Sequence, residues 1–232
     1  MKIKIFCDSA NFKTIKKMSK NPLVKGFTTN PSLMKLSGAK NYEKYSKKLL
    51  KVCKNKPISF EVFADDTNEM VQQALKIRSW GKNVYVKIPV INTKGIFSGK
   101  AIKKLSNKKI NLNITAVYTV AQVRKIIKNI NKNSKVIISI FAGRMADAGN
   151  DPVSIIKESV KLTKKIKNVE ILWASTREAY NYIQAKDYKC SIITMPPSII
   201  EKISKFGKTL NLLSLETVKK FFLDSKKSNF KL

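Results

Sequence analysis

Residues 84 to 90 read VYVKIPV and set Lys87 in the middle of an apolar, β-branched run. An ammonium group is costly to take out of water, so a lysine there needs a reason. A desolvated lysine is pushed toward its neutral amine, and an amine attacks carbonyls to give a Schiff base. The iminium draws electrons and lets a nearby C–C bond break. Acids are scarce, 15 against 47 lysines and arginines, so their positions carry information. Asp8 follows the apolar run KIFC, and Glu61 interrupts another run between Phe60 and Val62. Arg144 and Arg177 are of the type that grips a phosphate by charge-assisted hydrogen bonds. These residue types together suit a Schiff-base lyase or transferase acting on a phosphorylated sugar.

Each residue also has a plainer reading. Lys87 could snorkel from an edge strand. Asp8 could cap a helix starting near Asn11. Asn30-Pro31 could be only a turn, and Arg144 could pair locally with Asp147. Ser139 could be a satisfied core hydroxyl, and Trp173 and Phe141 could serve packing alone. The chemical reading rests on all of these residues falling at corresponding places along the chain.

Composition excludes several alternatives. The chain has no histidine, which rules out Ser-His and Cys-His nucleophile pairs, HExxH sites and histidine-ligated metals. Acid–base work falls to carboxylates, Lys, Tyr or Cys. Cys7, Cys53 and Cys190 form no CxxC pair and are expected to be buried free thiols rather than a disulfide or zinc framework. The formal charge of +32 invites a nucleic-acid reading. Against it, arginine is nearly absent, the lysines are spread along the whole chain, and no RNP, KH or zinc-finger pattern occurs. Lys, Asn and Ile share AT-rich codons, which accounts for their abundance. The charge should still attract anionic substrates. No apolar stretch approaches the roughly 20 residues that span a bilayer, and the N-terminal apolar segment is too short for a signal peptide. The expectation is a cytoplasmic protein with neither a membrane nor a nucleic-acid partner.

The elements that must position these groups are β-branched runs at 2–7, 23–28, 58–63, 83–88, 110–115, 135–141, 169–174 and 190–195. Between them lie segments with apolar residues at three- and four-residue spacing, such as NYEKYSKKLLKVCK, DTNEMVQQALKIRSWG and DPVSIIKESVKLTKKI. Asp66-Thr67 and Asp151-Pro152 are good helix starts. Regular alternation of strand and helix predicts parallel β/α units. Eight of them fit a (β/α)8 TIM barrel. An open doubly wound sheet is the competitor, but no GxGxxG or Walker loop occurs. The barrel is expected to be one domain over 1–232, of which about 213–232 forms an added C-terminal helix and tail.

Barrel chemistry sits at the C-terminal ends of the strands. Read in order, those ends offer Asp8, then Thr29 and Asn30, then Glu61, Lys87, Asn113 with Thr115, Ser139 with Phe141 and Arg144, and Ser175 with Arg177. Alternation puts Val84, Val86 and Ile88 on the helix side of their strand and Lys87 inside the barrel.

The residues reached in this way resemble the transaldolase family. GFTTNPSLM (26–34) is similar to its first signature and VKIPV (86–90) to its Schiff-base lysine motif. NLNITAVYTVAQ, ISIFAGRMADAG, WASTRE and TMPPSII resemble later blocks in order. The resemblance covers nearly the whole chain and is to the short branch, near fructose-6-phosphate aldolase. It implies Lys87 as the Schiff-base lysine and Asp8 as the acid/base at the sugar C4 hydroxyl. It implies that Glu61 and Thr115 hold a catalytic water. Thr29, Asn30, Asn113, Ser139 and Phe141 would line the substrate site, and Arg144, Ser175 and Arg177 would hold the phosphate. It further implies phosphorylated sugar substrates, no metal or organic cofactor, and a ring-like homo-oligomer, pentamer or decamer. Glu61 and Phe141 are of the transaldolase type, where the aldolases carry Gln and Tyr. Trp173 is bulkier than the pattern suggests, which could alter the pocket wall, though it is read first as a packing residue.

Overall fold

The computed structural model describes residues 3–228 and 230. Its strands are β1 (Lys4–Asp8), β2 (Val24–Thr28), β3 (Ile58–Glu61), β4 (Val84–Pro89), β5 (Leu112–Val117), β6 (Val136–Ile140), β7 (Val169–Trp173) and β8 (Ile192–Met195). They pair in parallel and in sequence order, and β1 also pairs with β8, closing a barrel. Helices α1 (Phe12–Lys20), α2 (Pro31–Leu36), α3 (Tyr42–Cys53), α4 (Thr67–Ser79) and α5 (Gly99–Asn107) occupy the first half. Helices α6 (Val120–Lys128), α7 (Ala142–Asp147), α8 (Val153–Thr163), α9 (Asn181–Asp187) and α10 (Pro197–Lys202) occupy the second. The fold is a (β/α)8 barrel.

The expected strands are all found, with ends that coincide or differ by at most two residues. Lys2, assigned to the first strand by its sequence, lies outside the described residues. By their contacts the residues form two units, Met1–Ile200 and Glu201–Leu232. The second unit contains α11 (Leu210–Lys227), which starts three residues before the expected 213 and has no buried residue. Of the expected tail, residues 229, 231 and 232 lie outside the described set. No helix of the described residues is long and apolar enough to cross a membrane.

Local chemistry explains where the helices begin. Asn11, Asn30 and Asn41 cap α1, α2 and α3, each side-chain oxygen accepting a backbone N–H three residues on, at 2.8 to 3.0 Å. Asp66 caps α4 in the same manner, as its sequence predicts, and Thr119 with Gln122 closes a capping box on α6. Such caps contribute about 1 kcal/mol each. Asn11 caps α1 itself, so Asp8 is free of that duty. Asp151 serves α8 by accepting the Val153 N–H at 2.9 Å, while Pro152 takes the cap position.

The barrel interior is filled in layers. At the bottom Lys4 pairs with Glu170 at 2.6 Å beside Tyr85, whose phenol burial pushes up to about 12. Above them Phe6, Ile137, Leu172 and Ile192 form an apolar plug. Gly26 makes room for it, since a Cβ there would stand 2.6 Å from the Phe6 ring. The third layer is polar and carries the site.

Candidate active site

Parallel register brings the principal groups together. Glu61 and Lys87 are Cα partners across β3 and β4, and Lys87 and Asn113 are partners across β4 and β5. Neighbours in register share a face, so all three side chains point inward. Lys87 is 6% exposed. Its Nζ lies 3.0 Å from Glu61 Oε2 and donates a 2.8 Å hydrogen bond to the Thr29 carbonyl. Lys87 therefore neither snorkels nor stands bare in an apolar pocket. It is an ion-paired lysine with one backbone acceptor.

Asp8 lies deep in the barrel while keeping part of its surface open to the cavity. Burial raises its pKa above the usual carboxylate range. The Thr28 hydrogen bond and the Lys87 charge oppose that rise, and the Glu61 charge adds to it. Thr28 Oγ1 donates to Asp8 Oδ1 at 2.6 Å and lies 2.5 Å from Thr194 Oγ1. Because Thr28 has a single proton and gives it to Asp8, Thr194 must donate to Thr28. The result is a directed hydroxyl chain ending on the carboxylate.

Asn113 is buried and fixed from both sides. Its Nδ2 donates to Ser59 Oγ at 3.0 Å and its Oδ1 accepts from Ser139 Oγ at 2.7 Å. Thr115 stands at a β-bulge, where the register with β6 shifts and Ala116 adopts φ +58°. Bulges re-aim side chains next to sites. Thr115 Oγ1 is buried with no hydrogen-bond partner among the described residues.

Arg144 and Arg177 lie at the mouth. Gly143 makes this possible, because a Cβ there would sit 1.6 Å from the Ser175 carbonyl oxygen. Ser175 itself takes φ +64°. Arg144 lies over the Phe141 ring at 5.3 Å. Arg177 Nε contacts both Asp147 oxygens at 3.0 and 2.9 Å, and Nη1 donates to the Ser175 carbonyl at 3.1 Å. The Asp147 hydrogen bond raises the Arg177 pKa and lowers that of Asp147. The acid considered as a local partner of Arg144 is thus the partner of Arg177.

A cavity of about 180 Å³ is lined by Asp8, Asn30, Lys87, Asn113, Thr115, Ser139, Phe141, Arg144, Ser175 and Arg177, with Thr28, Thr176 and Thr194. That is room for about six water volumes, the scale of a short polar substrate. A larger concavity of about 1110 Å³ opens at the other end of the barrel, among Lys4, Lys135, Lys164 and Lys167. It holds none of the expected site residues, whereas the smaller one gathers Asp8, Lys87, Arg144 and Arg177 and is the candidate site. Among the described residues no group of three or more Cys, Asp or Glu could hold a metal ion.

Two expectations change. Thr29 is not a lining residue: it is fully buried, and its hydroxyl donates to the Ser59 carbonyl at 2.8 Å. Its contribution is the backbone carbonyl that holds Lys87, and the inward threonine is Thr28. Trp173 does not form the pocket wall. It shares the helix-facing side of β7 with Ile171, opposite the inward Leu172. Asn30 both caps α2 and lines the cavity. Thr28, Thr194, Ser59 and Tyr42 also join the hydrogen-bond network of the site, and nothing in their sequence context singles them out. The hydroxyl of Tyr42 contacts the Glu61 backbone twice.

A family model described as Transaldolase/Fructose-6-phosphate aldolase matches residues 5–232. The chain belongs to that family. A probable transaldolase of Thermoplasma volcanium is 35% identical over 229 residues, covering 97% of this chain and 99% of that protein. A probable transaldolase of Nitrosopumilus maritimus is 33% identical over 224 residues, covering 94% and 96%. Family membership places the chain among transaldolase/aldolase-type enzymes. Fold likeness reaches further. Orotidine 5'-monophosphate decarboxylase from Metallosphaera sedula superposes with a TM-score of 0.53 at 12% identity, covering 94% of this chain and 97% of that one. At that identity the likeness is one of barrel architecture alone.

Proposed function

We propose that the protein is a transaldolase that carries a dihydroxyacetone unit on Lys87. The observation that carries this reading is the Lys87–Glu61 ion pair at 3.0 Å, with Asp8, Arg144 and Arg177 lining the same cavity as Lys87. Glu61 takes a proton from Lys87, and the freed amine attacks the C2 carbonyl of a ketose phosphate, fructose 6-phosphate or sedoheptulose 7-phosphate. The carbinolamine loses water to give the imine. Asp8 accepts the C4 hydroxyl proton, the C3–C4 bond breaks, and its electron pair moves toward the iminium. An aldose phosphate leaves and the enamine of dihydroxyacetone stays on Lys87. Addition to an acceptor such as glyceraldehyde 3-phosphate reverses these steps, with Asp8 returning the proton, and hydrolysis frees Lys87.

Asn30, Asn113 and Ser139 suit the hydroxyls of the three-carbon unit, and Arg144, Ser175 and Arg177 suit the phosphate. The unpartnered, buried Thr115 Oγ1 supports its reading as a holder of the water lost and regained at the imine. Phe141 cannot move a proton, so water activation rests on Glu61 and the enamine is kept for transfer. This favours transfer over release, the chemistry expected of a step in the pentose phosphate pathway. The chain's net charge of +32 suits anionic sugars. A homo-oligomer is also proposed, supported by α11, where Leu213, Phe221 and Phe222 are exposed. A coupled assay with sedoheptulose 7-phosphate, with and without an aldose phosphate acceptor, tests the function. Turnover should require the acceptor; free dihydroxyacetone released at a comparable rate without it would assign an aldolase.

A further inference from the structure

Strand β3 meets β2 only as far as Thr28 opposite Ser59. The N–H and C=O of a strand residue point to the same side, and those of Glu61 point where β2 would continue. There the chain has already turned: Asn30 caps α2 and Pro31, its first residue, has no N–H. A single hydroxyl fills the gap. Tyr42 Oη accepts the Glu61 N–H at 2.9 Å and donates to the Glu61 carbonyl at 3.0 Å. Val62 returns to β4, its N–H donating to the Lys87 carbonyl, and the two residues after it are held by Gln73, whose Oε1 accepts from Phe63 N at 2.9 Å and Ala64 N at 3.1 Å. The Tyr42 ring is fixed edge-on by Phe63 at 5.4 Å and lies against Trp80 at 6.1 Å. Burial raises the pKa of the phenol, so the hydroxyl keeps the proton it donates.

We propose that Tyr42 is a positioning residue that stands in for a strand neighbour and, with Gln73, holds Glu61 against Lys87. It touches neither substrate nor reacting atoms. It acts through the Glu61 backbone, and the inference rests on the reading of Glu61 as the group that handles the Lys87 proton. A misplacement of about 1 Å in such a group lowers turnover far more than binding.

Tyr42→Phe keeps the ring and removes both hydrogen bonds. In the full-length enzyme, with rates normalised to the Lys87 that borohydride traps, kcat should fall about tenfold while donor KM stays within about twofold. Gln73→Met should lower kcat about threefold, again at constant KM. In a Glu61→Gln background, Tyr42→Phe should have no further effect on kcat, because neighbours acting as a unit are non-additive. Wild-type kcat in Tyr42→Phe, a loss seen only in KM, or an equal loss in both backgrounds would overturn the proposal. If Tyr42→Phe yields no soluble protein, Gln73→Met decides: an unchanged kcat overturns it. Failure of the underlying Schiff-base reading looks different, since the wild-type enzyme would then form no adduct on Lys87.

Discussion

The Lys87 ammonium sits between two oxygens, 3.0 Å from the Glu61 carboxylate and 2.8 Å from the Thr29 carbonyl. Taking two charges out of water is costly unless each satisfies the other, and removing one partner leaves the other uncompensated. Lys87→Met should abolish turnover with the fold retained. Glu61→Gln should lower kcat by about a hundredfold, the range of a lost acid–base group, and lower stability by about 3 kcal/mol. The double variant Glu61→Gln/Lys87→Met should be more stable than Glu61→Gln alone. Denaturant melts of the three variants check this; a double variant that is the least stable of the three would contradict it.

Asp8 gives a pH dependence with a defined sign. Its pKa is higher folded than unfolded, chiefly through burial. The folded state therefore holds the proton more tightly, and stability falls as pH rises through the window above about pH 4. Asp8→Asn removes this loss. At pH 7 it should melt higher than the wild type, with the gap closing as pH falls toward 4, and it should be inactive. Thermal melts across pH measure both curves.

Thr28 lowers the Asp8 pKa through its 2.6 Å hydrogen bond. Thr28→Val should let that pKa rise further. Since Asp8 must be ionised to accept the C4 proton, the acid limb of the kcat profile should move to higher pH. An unmoved or lowered limb would separate Thr28 from proton transfer.

The sequence made the barrel and most of the site legible, and the reasons for the failures are specific. Glu61, Lys87 and Asn113 could be read because each interrupts an apolar strand, and alternation states which way it points. Thr28 and Thr29 could not be told apart, because they are identical neighbours at the end of a strand with Gly26 in its middle. One position of phase decides which faces inward. Asp147 is 30 residues from Arg177, and Tyr42 is 19 from Glu61. Such contacts arise from packing between units and leave no local pattern.

The arginines should separate binding from chemistry. Arg144→Ala should raise KM for phosphorylated acceptors by about tenfold or more, as for a lost charge-assisted contact, and change kcat little. KM for unphosphorylated glyceraldehyde should stay the same. Steady-state kinetics with the two acceptors test it, and an unchanged KM for the phosphorylated acceptor would remove Arg144 from the phosphate site.

Phe141 bears on what happens to the enamine. Its ring lines the cavity and lies 5.8 Å from that of Tyr118. Phe141→Tyr places a hydroxyl where a water can be activated. Release of free dihydroxyacetone without an acceptor should rise relative to transfer, measured as the ratio of the two rates.

The claim on which all of this depends is that Lys87 holds the substrate carbon. Incubation with fructose 6-phosphate and sodium borohydride, followed by peptide mass spectrometry, tests it directly. The account predicts a reduced three-carbon or hexose phosphate adduct on the peptide containing Lys87 and none in Lys87→Met. An adduct on another lysine, or no adduct in an active preparation, would contradict it.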